Sequence, residues 1–577
     1  MEDSITHSQD GIADREKMFQ RLIDIGIALS SERDQNRLQE RILLETKRIA
    51  NADGGTLYLM ADDDRALKFA IVRNDTLDIR MGGTTGVPIH FDPLPLYDES
   101  SIPNYNNVAT AVALNRIPIN IPDAYESRTF DFSGTHAFDR KTGYRSQSFL
   151  TLPLLNSEES VIGVLQLINA RDSSGAVIPF SPSLQPIIEA LTSQAAVALD
   201  KEMLILGQRA LLDSFIELMA GAVDAKSAYT GGHCQRVPYL TKMLARAACD
   251  SDHPNFRDFD LNEEEWYELH LAAWLHDCGK VTTPEFVVDK ATKLETIYNR
   301  IHEIRARFEI LRRDAEIECL KAKLAGGDPV ELDAAFEAEC RQLEADFAFV
   351  AGSNLGGEFF APEDVERLRQ IGRRVWFRHF DHTLGLSWEE RARLGAVEPR
   401  DGPAPQYLLA DRHDHKMPEY NNGELYNLSI ERGTLTAEER KKINDHIVVT
   451  IDMLEQLPFP RSLRRVPEIA GGHHEKMDGT GYPRGLTRDE MSLPARMMAI
   501  ADIFEALTAA DRPYKKAKKL SECLRIMSFM RNDAHIDPDL FELFLRSGVW
   551  REYAEQFLDP AQIDDIDIAD YLSGNAE

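Results

Sequence analysis

A run of histidines and carboxylates in the second half of the chain has the residue types of a metal site. It reads His473-His474-Glu475 and leads into the glycine-rich segment 478–483, while His276-Asp277 and Lys280 stand upstream. Burying imidazoles and carboxylates costs hydration unless another interaction compensates, and a divalent metal does so. Histidine nitrogen and carboxylate oxygen are ligands of zinc, iron and manganese. The run therefore predicts a metal-dependent hydrolase.

Four predicted helices each place one of these residue types on an apolar face. His276 continues an i, i+3, i+4, i+7 apolar stripe, and Gly279 is its predicted helix stop. His233 leads a similar stripe, as does Asp502, and His446 follows a predicted capping box, Thr436-x-x-Glu439. A lone histidine on an apolar face is usually a core residue. Four such helices in one chain favour a shared metal centre.

The amino-acid composition limits the classes of molecule that the chain is expected to bind. Acidic residues outnumber basic ones by 96 to 66, which leaves a net charge of −30. This balance argues against general binding to nucleic-acid polymers or anionic membranes. An anionic substrate then needs a local positive patch, and a short basic run supplies a candidate: Arg512, Lys515, Lys516, Lys518 and Lys519.

The cellular location is predicted from the absence of a membrane-spanning run and of a secretion signal in the sequence. No apolar run approaches the roughly 20 residues that cross a bilayer, and the N-terminus has no basic or apolar region of a secretion signal. The six cysteines are scattered without a CxxC pair, which is typical of reduced thiols. We expect a cytoplasmic protein.

A chain of 577 residues predicts several domains. Helical and strand patterns mix up to about residue 200, with a hairpin across Asp62-Asp63-Asp64, and this order is typical of an α+β fold. Helical patterning then dominates, so the fold class is multidomain: α+β, a long connecting helix, and an all-α domain. The predicted division is 1–14 as a disordered N-terminus, 15–200 as the α+β domain, 201–225 as the connecting helix, 214–545 as the all-α domain with a mainly helical insertion at about 292–431, and 546–577 as an acidic tail.

The α+β segment resembles a GAF domain. The likeness lies in Ser148-Phe149-Leu150-Thr151-Leu152-Pro153-Leu154 and in the strand that runs from Val161 to Asn169. GAF domains often bind small molecules and often only dimerise, and the sequence leaves both readings open. Asn169 and Phe180 echo the signature of cyclic-nucleotide-binding members, but Ala170 stands where a lysine is expected.

The all-α segment resembles the HD phosphohydrolase superfamily. His233, His276-Asp277 and Asp502 are similar to its ligand set. The added His446, the pair His473-His474 and the motif Asp478-Gly479-Thr480-Gly481-Tyr482-Pro483 resemble its HD-GYP branch, whose members are cyclic di-GMP phosphodiesterases. The resemblance implies two divalent metals, iron or manganese, with three ligand groups: His233, His276 and Asp502 on one ion, His446, His473 and His474 on the other, and Asp277 as the bridge.

The same resemblance implies roles around the metals. Asp277 and Lys280 are the expected catalytic residues, since a lysine there can neutralise charge on the phosphoryl group. Arg512, Lys515 and Tyr482 are the expected substrate-binding residues. The chain departs from the family at two backbone-shaping positions, where Ile447 and Thr450 replace the usual proline and glycine, and Tyr229 stands where some members have a glutamate for a third metal.

The leading hypothesis is a metal-dependent phosphodiesterase that hydrolyses cyclic di-GMP to pGpG, regulated by the GAF domain through the connecting helix; whether pGpG or GMP is the final product stays open. Two alternatives stay open: a catalytically weak adaptor that only binds the nucleotide, and a phosphodiesterase for another cyclic dinucleotide. The expected partners are the cyclic dinucleotide, a small-molecule ligand of the GAF domain, and a second copy of the chain in a homodimer.

Overall fold

The computed structural model describes residues 20, 22–226, 232–357, 359–394, 403–411, 423–509 and 517–572. The chain divides into two compact units, Met1–Leu212 and Asp213–Glu577. Each unit has its own hydrophobic core.

The first unit is built on an antiparallel sheet of eight strands in the order β3-β2-β1-β7-β6-β5, with β4 beside β2 and β8 beside β7. Helices cover it, and the segment 22–31 is also helical. The strands are β1 (Ala52–Met60), β2 (Ala66–Asn74), β3 (Ile79–Gly82), β4 (Leu94–Pro95), β5 (Ile119–Ile121), β6 (Phe149–Leu155), β7 (Val161–Arg171) and β8 (Val177–Ile178). The helices are α1 (Gln35–Ile49), α2 (Val108–Asn115) and α3 (Ser133–Thr142).

The central strands carry the residues that suggested a GAF domain. β7 pairs with both β1 and β6, and the predicted hairpin forms as the antiparallel pair β1–β2. Asn169 has a positive φ of 56°, and its amide accepts from the backbone N–H of Gln147 at 2.7 Å and donates to the carbonyl of Arg145 at 2.8 Å. Phe180 is buried in the core. Both side chains are therefore used to shape the fold.

Helix α4 (Gln185–Lys226) continues from the sheet domain as one element of 42 residues. At 1.5 Å per residue it is about 63 Å long. This confirms the predicted long connecting helix. The helix exposes large apolar side chains at a strict spacing of seven: Val197 (59% exposed), Leu204 (60%), Leu211 (72%) and Leu218 (67%).

The second unit is mainly helical, which confirms the predicted all-α class. Its helices pack on one large core. They are α5 (His233–Cys249), α6 (Glu263–Leu275), α7 (Glu285–Val288), α8 (Ile301–Leu324), α9 (Pro329–Asn354), α10 (Pro362–Gly372), α11 (Trp388–Leu394), α12 (Glu424–Leu428), α13 (Ala437–Glu455), α14 (Val466–Gly471), α15 (Leu493–Thr508), α16 (Leu520–Asn532), α17 (Pro538–Arg546), α18 (Val549–Phe557) and α19 (Ala569–Leu572).

The insertion between α7 and α13 forms a subdomain with a separate apolar cluster, including Ile304, Leu343 and Leu408. It consists of the α8–α9 hairpin, α10, α11, α12 and a two-stranded ribbon of β9 (Val375–Arg378) and β10 (Ala404–Tyr407). The insertion is mainly helical, as predicted.

The predicted acidic tail at 546–577 needs correction. Helix α18 buries Trp550 and Tyr553 in the main core, and Tyr571 in α19 is buried there as well. The predicted all-α domain ends at residue 545, but the aromatic residues beyond that boundary each bury a large apolar area. The described part of the domain therefore extends to residue 572.

Among the described residues, no helix combines the length and apolar character needed to cross a membrane. The cytoplasmic location stays a prediction.

Candidate metal centre

The first group of predicted ligands meets where the start of α5, the end of α6 and the middle of α15 converge. His233 is the first residue of α5, and its Nε2 lies 3.2 Å from Asp277 Oδ2 and 3.3 Å from Asp502 Oδ1. His276 follows α6 directly, and its Nε2 lies 3.2 Å from Asp277 Oδ2 and 3.9 Å from Asp502 Oδ1. The sequence-predicted residues of this group therefore face one another.

The second group contains His446, His473 and His474, whose ligand atoms lie within 4.8 Å of one another. His446 projects from α13, which begins with the predicted capping box of Thr436 and Glu439. The two adjacent histidines lie in a turn after α14 instead of on a helix. Their ring centroids are only 4.1 Å apart. Side chains of consecutive helical residues point about 100° apart. Because these two histidines are in a turn, both rings reach the same group.

Asp277 lies between the two groups. Its Oδ2 faces His233 and His276, whereas its Oδ1 lies 3.2 Å from His446 Nε2. Its side chain is 2% exposed, and Lys280 Nζ donates to Oδ2 at 2.5 Å. One carboxylate thus presents one oxygen to each histidine group, the arrangement that a bridging ligand needs.

In three of the histidines, a hydrogen bond from Nδ1 to the backbone carbonyl three residues earlier fixes the tautomer. The Nδ1 of His276 donates to the carbonyl of Ala273, and the Nδ1 of His473 donates to the carbonyl of Ala470, each at 2.7 Å. His446 Nδ1 bonds the carbonyl of Ile443 in the same i−3 pattern. A hydrogen on Nδ1 leaves the Nε2 lone pair free for a metal.

The buried polar atoms of the site fit a bound metal. The Nε2 atoms of His233, His276, His446 and His473, together with Asp277 Oδ1, are buried without a hydrogen-bond partner among the described residues. An unpaired buried polar atom costs about 1–3 kcal/mol. Five such atoms converging on one region are explained by divalent cations, and the imidazole and carboxylate donors suit iron, manganese or zinc.

Glu505 supports the first group and was not predicted. Its carboxylate is 1% exposed; Oε2 accepts from His233 Nδ1, and Oε1 lies 2.7 Å from Nε and 2.6 Å from Nη2 of Arg236. Glu505 stands three residues after Asp502 on α15, so both carboxylates reach His233 from the same helix face. That i, i+3 spacing was the available sequence signal.

Gly279 corrects the predicted helix stop. Helix α6 ends at Leu275, and Gly279 lies in the 3₁₀ turn Cys278–Thr282 without the positive φ of a helix C-cap. A Cβ on Gly279 would lie 2.6 Å from the backbone nitrogen of Thr450 and closer still to the carbonyl oxygen of His446. The glycine is needed because the Asp277 turn packs directly against α13.

Thr450, one of the two departures from the family pattern, takes part in this contact. Its side chain is fully buried, and its Oγ1 accepts from the Gly279 N–H at 2.9 Å. Ile447 is also fully buried. Thr450 is therefore built into the contact between the Asp277 turn and α13, and Ile447 is part of the buried interior.

The glycine-rich loop closes over the second group. Glu475 is buried and accepts from the backbone N–H groups of Arg484 at 2.7 Å and Leu486 at 2.9 Å, so it holds the loop instead of joining the ligand atoms. Gly481 packs against the backbone of Glu475, where a Cβ would lie 2.5 Å from its Cα. The Tyr482 ring stacks on His474 with centroids 4.9 Å apart.

The two ligand groups differ in the direction in which their surroundings shift the histidine pKa values. Burial opposes ionisation of Asp277 and Asp502. Lys280 and the nearby histidines outweigh it at Asp277, the histidines outweigh it at Asp502, and the pKa of each carboxyl falls well below its usual range. Burial also opposes a charge on His233, yet the nearby carboxylates of Asp277, Asp502 and Glu505 raise its pKa well above the ordinary value. In the second group, burial lowers the pKa of His474 to about 4, and that of His473 falls as well. Burial thus favours the neutral imidazole at both His473 and His474.

Some predicted positions lie outside the described residues. These are Arg512 and Lys515, two of the three predicted substrate-binding residues, and Tyr229. Their roles stay predictions.

Comparisons with known proteins match both halves of the chain. Residues 34–199 match the family model of the GAF domain, and residues 411–540 match that of the HD domain. The chain is 43% identical to a 3'3'-cGAMP-specific phosphodiesterase of Vibrio cholerae over 109 residues. This aligned stretch covers 19% of this chain and 23% of that protein. Over 82 residues the chain is 43% identical to a cyclic di-GMP phosphodiesterase of Pseudomonas aeruginosa, 14% of this chain and 19% of that protein.

A third relative, a cyclic di-GMP phosphodiesterase of Thermotoga maritima, is 35% identical over 117 residues, 20% of this chain and 31% of that protein. The matched regions thus span under a third of each of these three relatives. Among solved structures, the GAF domain of an Acinetobacter phosphoenolpyruvate-protein phosphotransferase aligns over 33% of this chain and 98% of its own, with 14% identity and a TM-score of 0.25. The assignment of both domains rests on the family models.

Proposed function

We propose that this chain, which contains a GAF domain followed by an HD domain, is a metal-dependent phosphodiesterase that hydrolyses cyclic di-GMP to pGpG and on to GMP. The observation that carries the proposal is the convergence of unpaired histidine Nε2 atoms on both oxygens of Asp277. The similarity to proteins named as phosphodiesterases supports the reaction class.

The residues divide the work as follows. His233, His276 and Asp502 would hold one divalent ion, His446, His473 and His474 would hold a second, and Asp277 would be shared between the two groups. Bound metals of this kind supply Lewis-acid activation of water and of the phosphate. Lys280 lies 2.5 Å from Asp277, and its ammonium stands beside the reacting region, where it balances negative charge on the phosphoryl group. The Tyr482 ring lines the site beside His474.

The test is turnover of cyclic di-GMP by metal-loaded protein, with product identification, beside His276→Ala. We expect the variant to lose activity and metal together. His302→Ala is the matched control, because His302 is an exposed histidine of α8 in the insertion. Equal turnover by wild type and His276→Ala would reject the proposal. Tight nucleotide binding with no product at full metal occupancy would favour the adaptor instead.

A second substrate has specific support. One relative is named for 3'3'-cGAMP and two others for cyclic di-GMP, so the likeness does not distinguish the two nucleotides. Competition between the two cyclic dinucleotides in one reaction measures the ratio of their kcat/KM values directly. A ratio in favour of 3'3'-cGAMP would replace the substrate in the proposal and leave the reaction unchanged.

The exposed heptad residues of α4 support a homodimer in which two copies of this helix pair. Val197, Leu204, Leu211 and Leu218 repeat every seven residues on an exposed face, which supplies one of the two apolar positions per heptad that paired helices use. We expect Leu204→Glu with Leu211→Glu to yield monomers in analytical ultracentrifugation. A variant that stays dimeric contradicts this pairing. GAF-dependent regulation through α4 is tested by adding candidate ligands to the full chain and to a chain lacking residues 1–185.

A further inference from the structure

The last part of α4, residues 213–226, belongs to the second unit. Its buried side chains Ile216, Ala220 and Val223 stand at i, i+4 and i+7, so they lie on one face of the helix. Ile216 is part of the main core of this unit, and the other two belong to a small apolar cluster beside it. The end of α4 is therefore packed into the domain that holds the candidate metal centre.

The neighbours of this helix face stand next to predicted ligands of the first group. The small apolar cluster contains Cys234, which follows His233 on α5. Trp274, which lies two residues before His276 at the end of α6, packs against the same cluster. The end of α4 thus contacts both helices that present histidines to this group.

Asp224 fixes the backbone that leads into α5. Its Oδ2 accepts from the backbone N–H of Gly232 at 3.2 Å. Gly232 is the residue directly before His233, and it has a φ of 90°, a conformation that favours glycine. The bond ties the residue before a predicted ligand to the last turn of α4.

Lys226 makes a second tie, to the turn that carries Lys280. It is the last residue of α4, and its Nζ donates to the carbonyl of Lys280 at 3.4 Å and to that of Val281. Both carbonyls belong to the 3₁₀ turn Cys278–Thr282, from which Lys280 Nζ reaches Asp277 Oδ2 at 2.5 Å. A 3₁₀ turn this short has few hydrogen bonds of its own. The bonds from Lys226 therefore help to fix the backbone from which Lys280 projects.

We infer that Lys226 is a positioning residue for the proposed reaction: it holds the turn of Lys280, so that the end of α4 sets where the Lys280 ammonium lies beside Asp277. The inference rests on the proposed function, because it takes Lys280 as the group that balances charge on the phosphoryl group. It also gives α4 a defined point of action. A shift of its last turn would act on Lys280 and on the residue before His233.

The test is Lys226→Met in the full metal-loaded chain, since methionine keeps an unbranched side chain and removes the donor. Lys226→Arg is the conservative variant, because a guanidinium also donates to carbonyls. The matched control is Lys242→Met, which changes an exposed lysine of α5 in the same unit. For each protein, kcat and KM for cyclic di-GMP, metal content, melting temperature and amide hydrogen exchange across residues 278–283 are measured.

We expect Lys226→Met to lose about 10- to 100-fold in kcat. KM, metal content and melting temperature should stay near wild type, because the ligands and the apolar face of α4 are unchanged. Amides across 278–283 should exchange faster, since the turn has lost an anchor. Lys226→Arg should recover most of kcat and of the protection from exchange, and Lys242→Met should match wild type throughout.

Two outcomes overturn the inference and leave the proposed function standing. One is wild-type kcat in a folded, metal-loaded Lys226→Met protein. The other is a fall in kcat that is matched by loss of metal and of melting temperature, because Lys226 would then only support the fold.

Failure of the proposed function has a different signature, in which wild type hydrolyses no cyclic di-GMP. Hydrogen exchange then decides alone whether Lys226 holds the turn. Faster exchange across 278–283 in Lys226→Met, with wild-type exchange in Lys226→Arg and Lys242→Met, supports the inference. Equal exchange in all four proteins overturns it.

Discussion

Replacing Gly279 with alanine tests whether the contact between the Asp277 turn and α13 sets the geometry of the metal centre. The new Cβ would lie 2.6 Å from the Thr450 nitrogen and nearer to the His446 carbonyl oxygen. Ordinary contacts lie at about 3.5–4.0 Å, so the two backbones must separate by roughly 1 Å. His446 moves with that carbonyl, which changes its 3.2 Å separation from Asp277 Oδ1.

The expected effect on catalysis exceeds the effect on folding. Overpacking of this kind costs about 1–3 kcal/mol of unfolding free energy, whereas a 1 Å displacement at a reacting centre costs about 10²-fold in rate. The assay is turnover of cyclic di-GMP with metal stoichiometry and thermal unfolding on the same preparation. We expect the folded variant to lose about 10²-fold in kcat and to bind less metal.

Gly352→Ala is the matched control, since a Cβ there meets nothing within 4 Å and the residue lies on helix α9. It should behave as wild type or unfold at a slightly higher temperature. A folded Gly279→Ala protein with wild-type turnover and metal content would refute the reasoning, because the two ligand groups would then tolerate the separation.

Three further predictions follow from single contacts. Glu505→Gln removes the charge that orients His233 and should weaken metal binding about 10- to 100-fold, measured by competition with a chelator; affinity equal to wild type contradicts the supporting role. Thr450→Val keeps the side-chain shape but leaves the buried Gly279 N–H without its acceptor. Denaturant unfolding should therefore show a free energy of unfolding lower by about 1–3 kcal/mol. An unchanged free energy of unfolding would mean that the N–H finds another partner. In metal-free protein, the pKa of His474 is about 4 when folded and 6.5 ordinarily; the unfolded chain therefore binds more protons between these values, and stability should fall as pH drops from 6.5 to 4. His474→Gln should flatten that slope, and an unchanged slope would show that other groups cause it.

The predictable part of the candidate site came from local periodicity. His276, His446 and Asp502 repeat with the apolar residues of their own helices, and a capping box marked where α13 begins. These signals depend on neighbours within a few residues, so they are visible in the sequence. Histidine and aspartate at such positions also limited the chemistry to metals, because few other partners compensate their burial.

Tertiary structure decided what depends on distant segments meeting. Gly279 looked like a helix stop, but it serves the contact with Thr450, 171 residues later. Glu505 orients His233 across 272 residues, and Lys290 reaches Glu439 from the other side of the insertion. Local sequence determines which residues share a helix face; which faces meet is determined by the packing of the whole core. For that reason the sequence alone indicated the ligand types, whereas only the folded chain brought both oxygens of Asp277 between two groups of histidines.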